Sequence, residues 1–188
     1  MRARMLWLFA LPLLPAAHHP TPTVVLVQKT DLIRRTLPEA TQFFLKTVSI
    51  GKEDLARIRR EIDFTPDDPD VKFYVGRKAD GSPAGVVFFP QVNTMHGPIE
   101  VGLTMAPGGK IANAAVTTAT VETKPWVEEA IAAGLLDRFK GMSYGDSVES
   151  ALRAPRLERT GEMPRYEAEV IATAVHHGLV LYHDLYRE

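Results

Sequence analysis

Pro98-Ile99-Glu100-Val101-Gly102-Leu103-Thr104-Met105, then the turn Pro107-Gly108-Gly109 and the run Lys110 to Val121, decide the fold class. Ile99, Val101, Leu103 and Met105 alternate with Glu100, Gly102 and Thr104, the period-two pattern of a strand with one buried and one wet face. The turn reverses the chain, so the Ala-, Val- and Thr-rich return run is expected to pair with its predecessor. Upstream, Lys72 to Gly76, the turn Asp80-Gly81-Ser82-Pro83 and Ala84 to Phe89 read as a hairpin. These runs predict an antiparallel sheet of four or more strands.

Helical periodicity flanks that sheet, which makes the expected class α+β. Asp31 is placed to cap a short helix that Pro38 ends, after the apolar run Val24 to Val27. From Gly51 to Asp63, Leu55, Ile58 and Ile62 recur at three- and four-residue steps among charged residues, giving an amphipathic helix with one buried stripe. Thr65-Pro66-Asp67-Asp68-Pro69 ends it as an acidic turn. After Pro125, Trp126, Ala130, Ile131, Leu135 and Phe139 are candidate buried residues, with Gly141 as a stop signal. An irregular stretch from Met142 to Glu162 leads to the last helix, where Ile171, Ala174, Val175, Gly178, Leu179, Tyr182, Leu185 and Tyr186 form one face.

Composition narrows the chemistry. The formal charge of -1 over 188 residues offers no field for nucleic acid. With no cysteine, disulfides, thiolate catalysis and cysteine-ligated iron–sulfur clusters are excluded. Gly-x-Ser-x-Gly, His-Glu-x-x-His and Gly-x-x-x-x-Gly-Lys-Ser/Thr motifs are absent, which disfavours a hydrolase. Arg2 and Arg4 precede an apolar run from Met5 to Ala17, too short and too proline-interrupted to span a bilayer, and it reads as a secretory signal over residues 1–17. Residues 18–70 are then an N-terminal helical and extended segment of the same domain whose main part is 71–188.

Several phrases occur in a telling order: Gly97-Pro98-Ile99-Glu100-Val101, Gly109-Lys110-Ile111, Val121-Glu122-Thr123-Lys124-Pro125, Phe139-Lys140-Gly141 and Thr160-Gly161-Glu162-Met163. From roughly Val71 to Tyr186 the chain resembles the FMN-binding domain of the small flavin subunits in Rnf-type complexes and sodium-pumping quinone reductases. The resemblance implies an FMN-binding-domain-like fold, a periplasmic or other extracytoplasmic location and electron transfer. It also implies partnership with a membrane redox complex or a periplasmic electron carrier. The family attaches FMN to the second threonine of a Ser/Thr-Gly-Ala-Thr motif, where this chain has Met163. A thioether cannot form that phosphoester, so any FMN is expected to be noncovalent.

For the phosphate, the start of the last helix offers Thr160 and Gly161 with Arg156 and Arg159 close by, guanidinium forks that match phosphate oxygens. The alternative is a solvated loop whose arginines pair with Glu149, Glu158 and Glu162. For the flavin ring, the resemblance points to Glu122, Thr123, Lys124 and Trp126, although Trp126 also fits a core position. A cofactor-free module of the same fold, serving binding or assembly beside a redox complex, is the second reading. A haem variant using Met95 and His96 is the third. His176 and His183 sit seven residues apart, about 10.5 Å along a helix, too far to share a metal ion. The mature protein is expected to begin near His18, which N-terminal sequencing of the exported product would verify.

Overall fold

A computed structural model describes residues 21–65 and 68–186; the expected signal segment, His18-His19, and Pro66 and Asp67 of the acidic turn lie outside the described residues. Seven strands form one sheet in which every pairing is antiparallel. They are β1 (Thr23–Val25), β2 (Gln42–Ser49), β3 (Asp70–Arg77), β4 (Pro83–Phe88), β5 (Gln91–Thr94), β6 (Gly97–Met105) and β7 (Ile111–Thr120). The order across the sheet is β1-β7-β6-β4-β3-β2, with β5 also on β6. The helices are α1 (Lys29–Thr36), α2 (Lys52–Ile58), α3 (Lys124–Ala132), α4 (Glu149–Leu152) and α5 (Glu162–Leu185). The α+β class and the antiparallel sheet expected from the alternating runs are therefore present.

β4 and β5 are two parts of one interrupted strand. Val86 pairs with Met105 and Phe88 with Leu103, and beyond Phe89-Pro90 the same register continues with Gln91 opposite Glu100 and Val92 opposite Ile99. Across the break, the Val101 amide donates to the Pro90 carbonyl at 2.9 Å. A two-residue turn, Met95-His96, then closes the hairpin onto β6.

α5 covers one face of the sheet, where Phe73, Phe88, Val101, Leu103 and Met105 are buried beneath Ile171, Val175 and Leu179. The approach is close at Gly178, where a Cβ would stand 2.3 Å from Leu103 Cδ1 and 3.0 Å from Pro90 Cγ. α2 is tied to the end of this helix by Arg57, whose Nε lies 3.2 Å from the buried Asp184 carboxylate. Ile58 and Ile62 of the anticipated stripe are buried and Leu55 is half-buried, although the α-helix itself closes at Ile58 and continues as turns.

The opposite face departs from expectation. The alternation in β6 suggested a wet side, yet Gly102 and Thr104 are buried there under α1. A Cβ on Gly102 would meet Leu32 Cδ2 at 2.2 Å, and the Thr104 hydroxyl bonds that of Thr36 at 2.8 Å. Small and hydroxyl residues in β6 thus seat a helix rather than meet water. The stretch expected to be irregular also contains α4 and a short 3-10 turn at Leu157–Arg159.

Gly178→Ala is expected to lower stability by up to about 2 kcal/mol in urea unfolding. Overpacking against Leu103 and Pro90, at about 1–3 kcal/mol, outweighs the gain in helix propensity of about 1 kcal/mol.

Candidate functional site

Two chain reversals, the β5–β6 turn and the β7–α3 junction, meet at one end of the sheet. In the β5–β6 turn, the Thr94 hydroxyl donates to the Gly97 carbonyl at 2.9 Å and accepts from the His96 amide at 3.1 Å. Gly97 has φ +101°, and a Cβ there would stand 2.5 Å from Thr120 Cγ2, so only glycine lets this turn close against β7. His96 is thereby held over the β7–α3 junction, with its Nδ1 3.2 Å from Glu122 Oε1.

The junction is locked by two buried threonines. The Thr120 amide donates to Thr123 Oγ1 at 3.2 Å, the Thr123 amide donates to Thr120 Oγ1 at 3.1 Å, and the two hydroxyls lie 3.0 Å apart. This reciprocal pair holds the turn, leaving Glu122 exposed between its members to reach the imidazole. The rings of Trp126 on α3 and Tyr166 on α5 stand edge-to-face with His96, centroids 5.9 and 6.0 Å away. Both are half-buried, so the trio forms a rigid aromatic surface open to solvent on one side.

Beneath it lies Glu167, fully buried, with neither carboxylate oxygen hydrogen-bonded. Burial pushes its pKa up, the His96 imidazole opposes that rise, and the Glu122 carboxylate adds to it. Periodicity could not single this residue out, because Glu167 falls four residues before Ile171 on the very stripe that packs against the sheet. Tyr166 likewise carried no sequence signal.

The remaining residues named from sequence occupy distinct positions. Lys124 opens α3 and lies 3.7 Å from Glu128. Arg156 and Arg159 are exposed around the 3-10 turn that precedes α5. Among the described residues neither forms an ion pair, while Arg153 in the same stretch helps to lower the pKa of Glu149. The Thr160 hydroxyl donates to the Leu157 carbonyl at 2.7 Å. Gly161 is the N-cap of α5, extended and exposed, and no side chain caps the helix. Met95 is 89% exposed at the hairpin tip, while His96 turns inward to Glu122, so the two do not converge on a common ligand position. No group of three or more carboxylate, histidine or cysteine ligands suited to a metal ion occurs among the described residues.

The fit to FMN can be tested on these groups. An uncapped helix start beside two uncommitted guanidinium groups suits a phosphate dianion, and a half-exposed aromatic surface suits a flat ring. Thr123 is unsuited to direct contact, since it is buried and its hydroxyl is engaged with Thr120. Compared with protein-family models, curated proteins and solved structures, the chain matches none.

A buried acid with a raised pKa binds its proton more tightly in the folded than in the unfolded chain. The stability this contributes is present at acid pH and is lost as pH climbs from the unfolded value, about 4.3, through the folded one. Glu167→Gln, which removes the titration, is expected to gain on the parent in stability as pH rises above about 4.3. Parallel stability curves in urea melts across that range would show that Glu167 is solvated after all.

Proposed function

We propose that this chain is an extracytoplasmic electron-transfer protein with an FMN-binding-domain-like fold that holds FMN without a covalent bond. The observation that carries the reading is spatial. Two of the phrases on which the resemblance rests, Gly97-Pro98-Ile99 and Glu122-Thr123, adjoin the His96–Glu122 pair directly, and the phrase Thr160-Gly161 opens the helix that presents Tyr166 to the same imidazole. Arg156, Arg159 and the first-turn amides of α5 would hold the phosphate, with Glu162 limiting the local positive charge. Trp126, His96 and Tyr166 would bound the ring, and Glu122 and Lys124, on either side of the locked Thr123, would orient it. When bound, the flavin would supply one- and two-electron chemistry. The protein's share is to fix the ring, limit water on one side through the aromatic trio, and keep a protonatable carboxyl, Glu167, close beneath.

A cofactor-free module acting beside a membrane redox complex is the second reading, and one observation favours it. β2 is an edge strand that exposes Phe43, Phe44 and Leu45 by 44%, 50% and 56%, an unusual apolar run to leave in water.

The visible spectrum of protein purified from its native compartment, before and after acid precipitation, separates the two. Flavin bands released into the supernatant are expected. A colourless protein that also fails to quench added FMN fluorescence would favour the module. In FMN titrations, Arg156→Ala and Arg159→Ala are each expected to weaken binding by about 1–2 kcal/mol, roughly 5- to 30-fold, with folding intact.

A further inference from the structure

A second site lies where the sheet splits. β3 and the β4–β5 strand are neighbours, paired at Tyr74–Val87 and Gly76–Gly85, but the ladder stops at Tyr74 although both chains run on. The first residues of β3 then pair only with β2, and β5 pairs only with β6. Between them opens a cleft of about 610 Å³, bounded by Val71, Lys72 and Tyr74 on one side and by Phe89, Gln91 and Val92 on the other.

The direction of the backbone groups on both walls follows from the alternation of an antiparallel ladder. The Ile50 amide donates to the Pro69 carbonyl, so Pro69, Val71 and Phe73 bond toward β2, and Asp70 and Lys72 present their carbonyls and the Lys72 amide to the cleft. The Asp70 amide is turned back to the Asp68 carboxylate. On the facing wall, the Pro90 carbonyl bonds toward β6, as Val92 does in turn, so Phe89 and Gln91 present theirs to the cleft. No backbone hydrogen bond joins Asp70 or Lys72 to Phe89 or Gln91. Two strand edges of one sheet thus face each other with no backbone hydrogen bond between them.

We propose that this cleft binds an extended polypeptide segment carrying basic side chains, which adds backbone hydrogen bonds to the strand edges lining it. Extended chain is the occupant whose amides match such rows of backbone groups, as in strand addition to a sheet edge. The volume admits a few residues of extended chain. Phe64, Phe88 and Leu181 add apolar surface to the lining for side chains to pack against. The charge preference comes from the lining, where Lys29 and Lys72 stand against Asp63, Asp68, Asp70 and Glu100. Both lysines are already engaged, Lys29 by Glu100 at 2.6 Å and Lys72 by Asp68 at 3.6 Å, which leaves Asp63 and Asp70 as the excess negative charge. His177 in the wall is held toward its neutral form by burial and does not offset them. None of these residues belongs to the His96 site, so the two sites are independent.

The probe is a fluorescein-labelled peptide, Lys-Val-Lys-Val-Lys, titrated against the full chain by fluorescence anisotropy, with amide hydrogen exchange on the complex. Saturable binding is expected, with slowed exchange at the Lys72 and Gln91 amides. The Asp63→Asn/Asp70→Asn double variant, with an unchanged circular dichroism spectrum, is expected to bind several-fold more weakly. A peptide N-methylated at both valines, and Glu-Val-Glu-Val-Glu, are each expected to lose at least tenfold. No saturable binding at millimolar peptide overturns the proposal. So does equal binding of the N-methylated peptide, which would mean attraction by charge alone, or unaltered exchange at Lys72 and Gln91.

Discussion

The contact between α5 and the sheet at Gly178 governs the arrangement of the whole molecule. With only a hydrogen there, the helix axis settles onto Leu103, Phe88 and Pro90, and burial of Ile171 and Val175 on one side of that point and of Leu179 and Leu185 on the other follows. A long helix fixed at its middle has its two ends fixed in direction. Its first turns are carried to the β5–β6 and β7–α3 reversals, which brings Tyr166 and Glu167 to His96. Its last turn reaches α2 through Asp184 and Arg57. The candidate site therefore owes its geometry to a packing contact more than ten residues away along the helix.

Much of the architecture could be read from the chain because the informative patterns are local. Pro98 to Met105 alternates strictly, its Ala-, Val- and Thr-rich return run follows directly after a turn, and α5 has a long apolar stripe, so strand pairing and the principal helix follow from neighbours in sequence. β2 was not evident for a physical reason: an edge strand half open to water on both faces, Gln42-Phe43-Phe44-Leu45, has no alternation to detect. β5 is short and polar, and it becomes a strand only because it continues the register of β4 on β6. The misread wet face of β6 has the same origin, since Gly102 and Thr104 look like solvent positions until Leu32 and Thr36 of α1 are set upon them.

The candidate site was legible in part. Glu122 and Trp126 were named from their phrase and do stand around one imidazole, but His96, named only for a haem variant, is the member that joins them. Thr123 was named beside a ligand, and its hydroxyl and amide are engaged with Thr120 in holding the turn. Glu167 was invisible because a carboxyl on an apolar stripe breaks no periodicity. Its significance arises only when burial removes water without supplying a partner. Such properties belong to tertiary placement, and no window of sequence contains them.

β1 occupies one edge of the sheet by pairing Thr23 with Thr120 and Val25 with Thr118. A chain made from its N-terminus exposes this strand long before β7 exists, and joining two segments so distant in sequence closes a loop that encompasses most of the domain. The edge of the sheet must therefore be completed late, after the β6–β7 hairpin has formed a surface to receive it. Until β7 forms, β1 lacks the strand that it pairs with, and the edge it completes stays open.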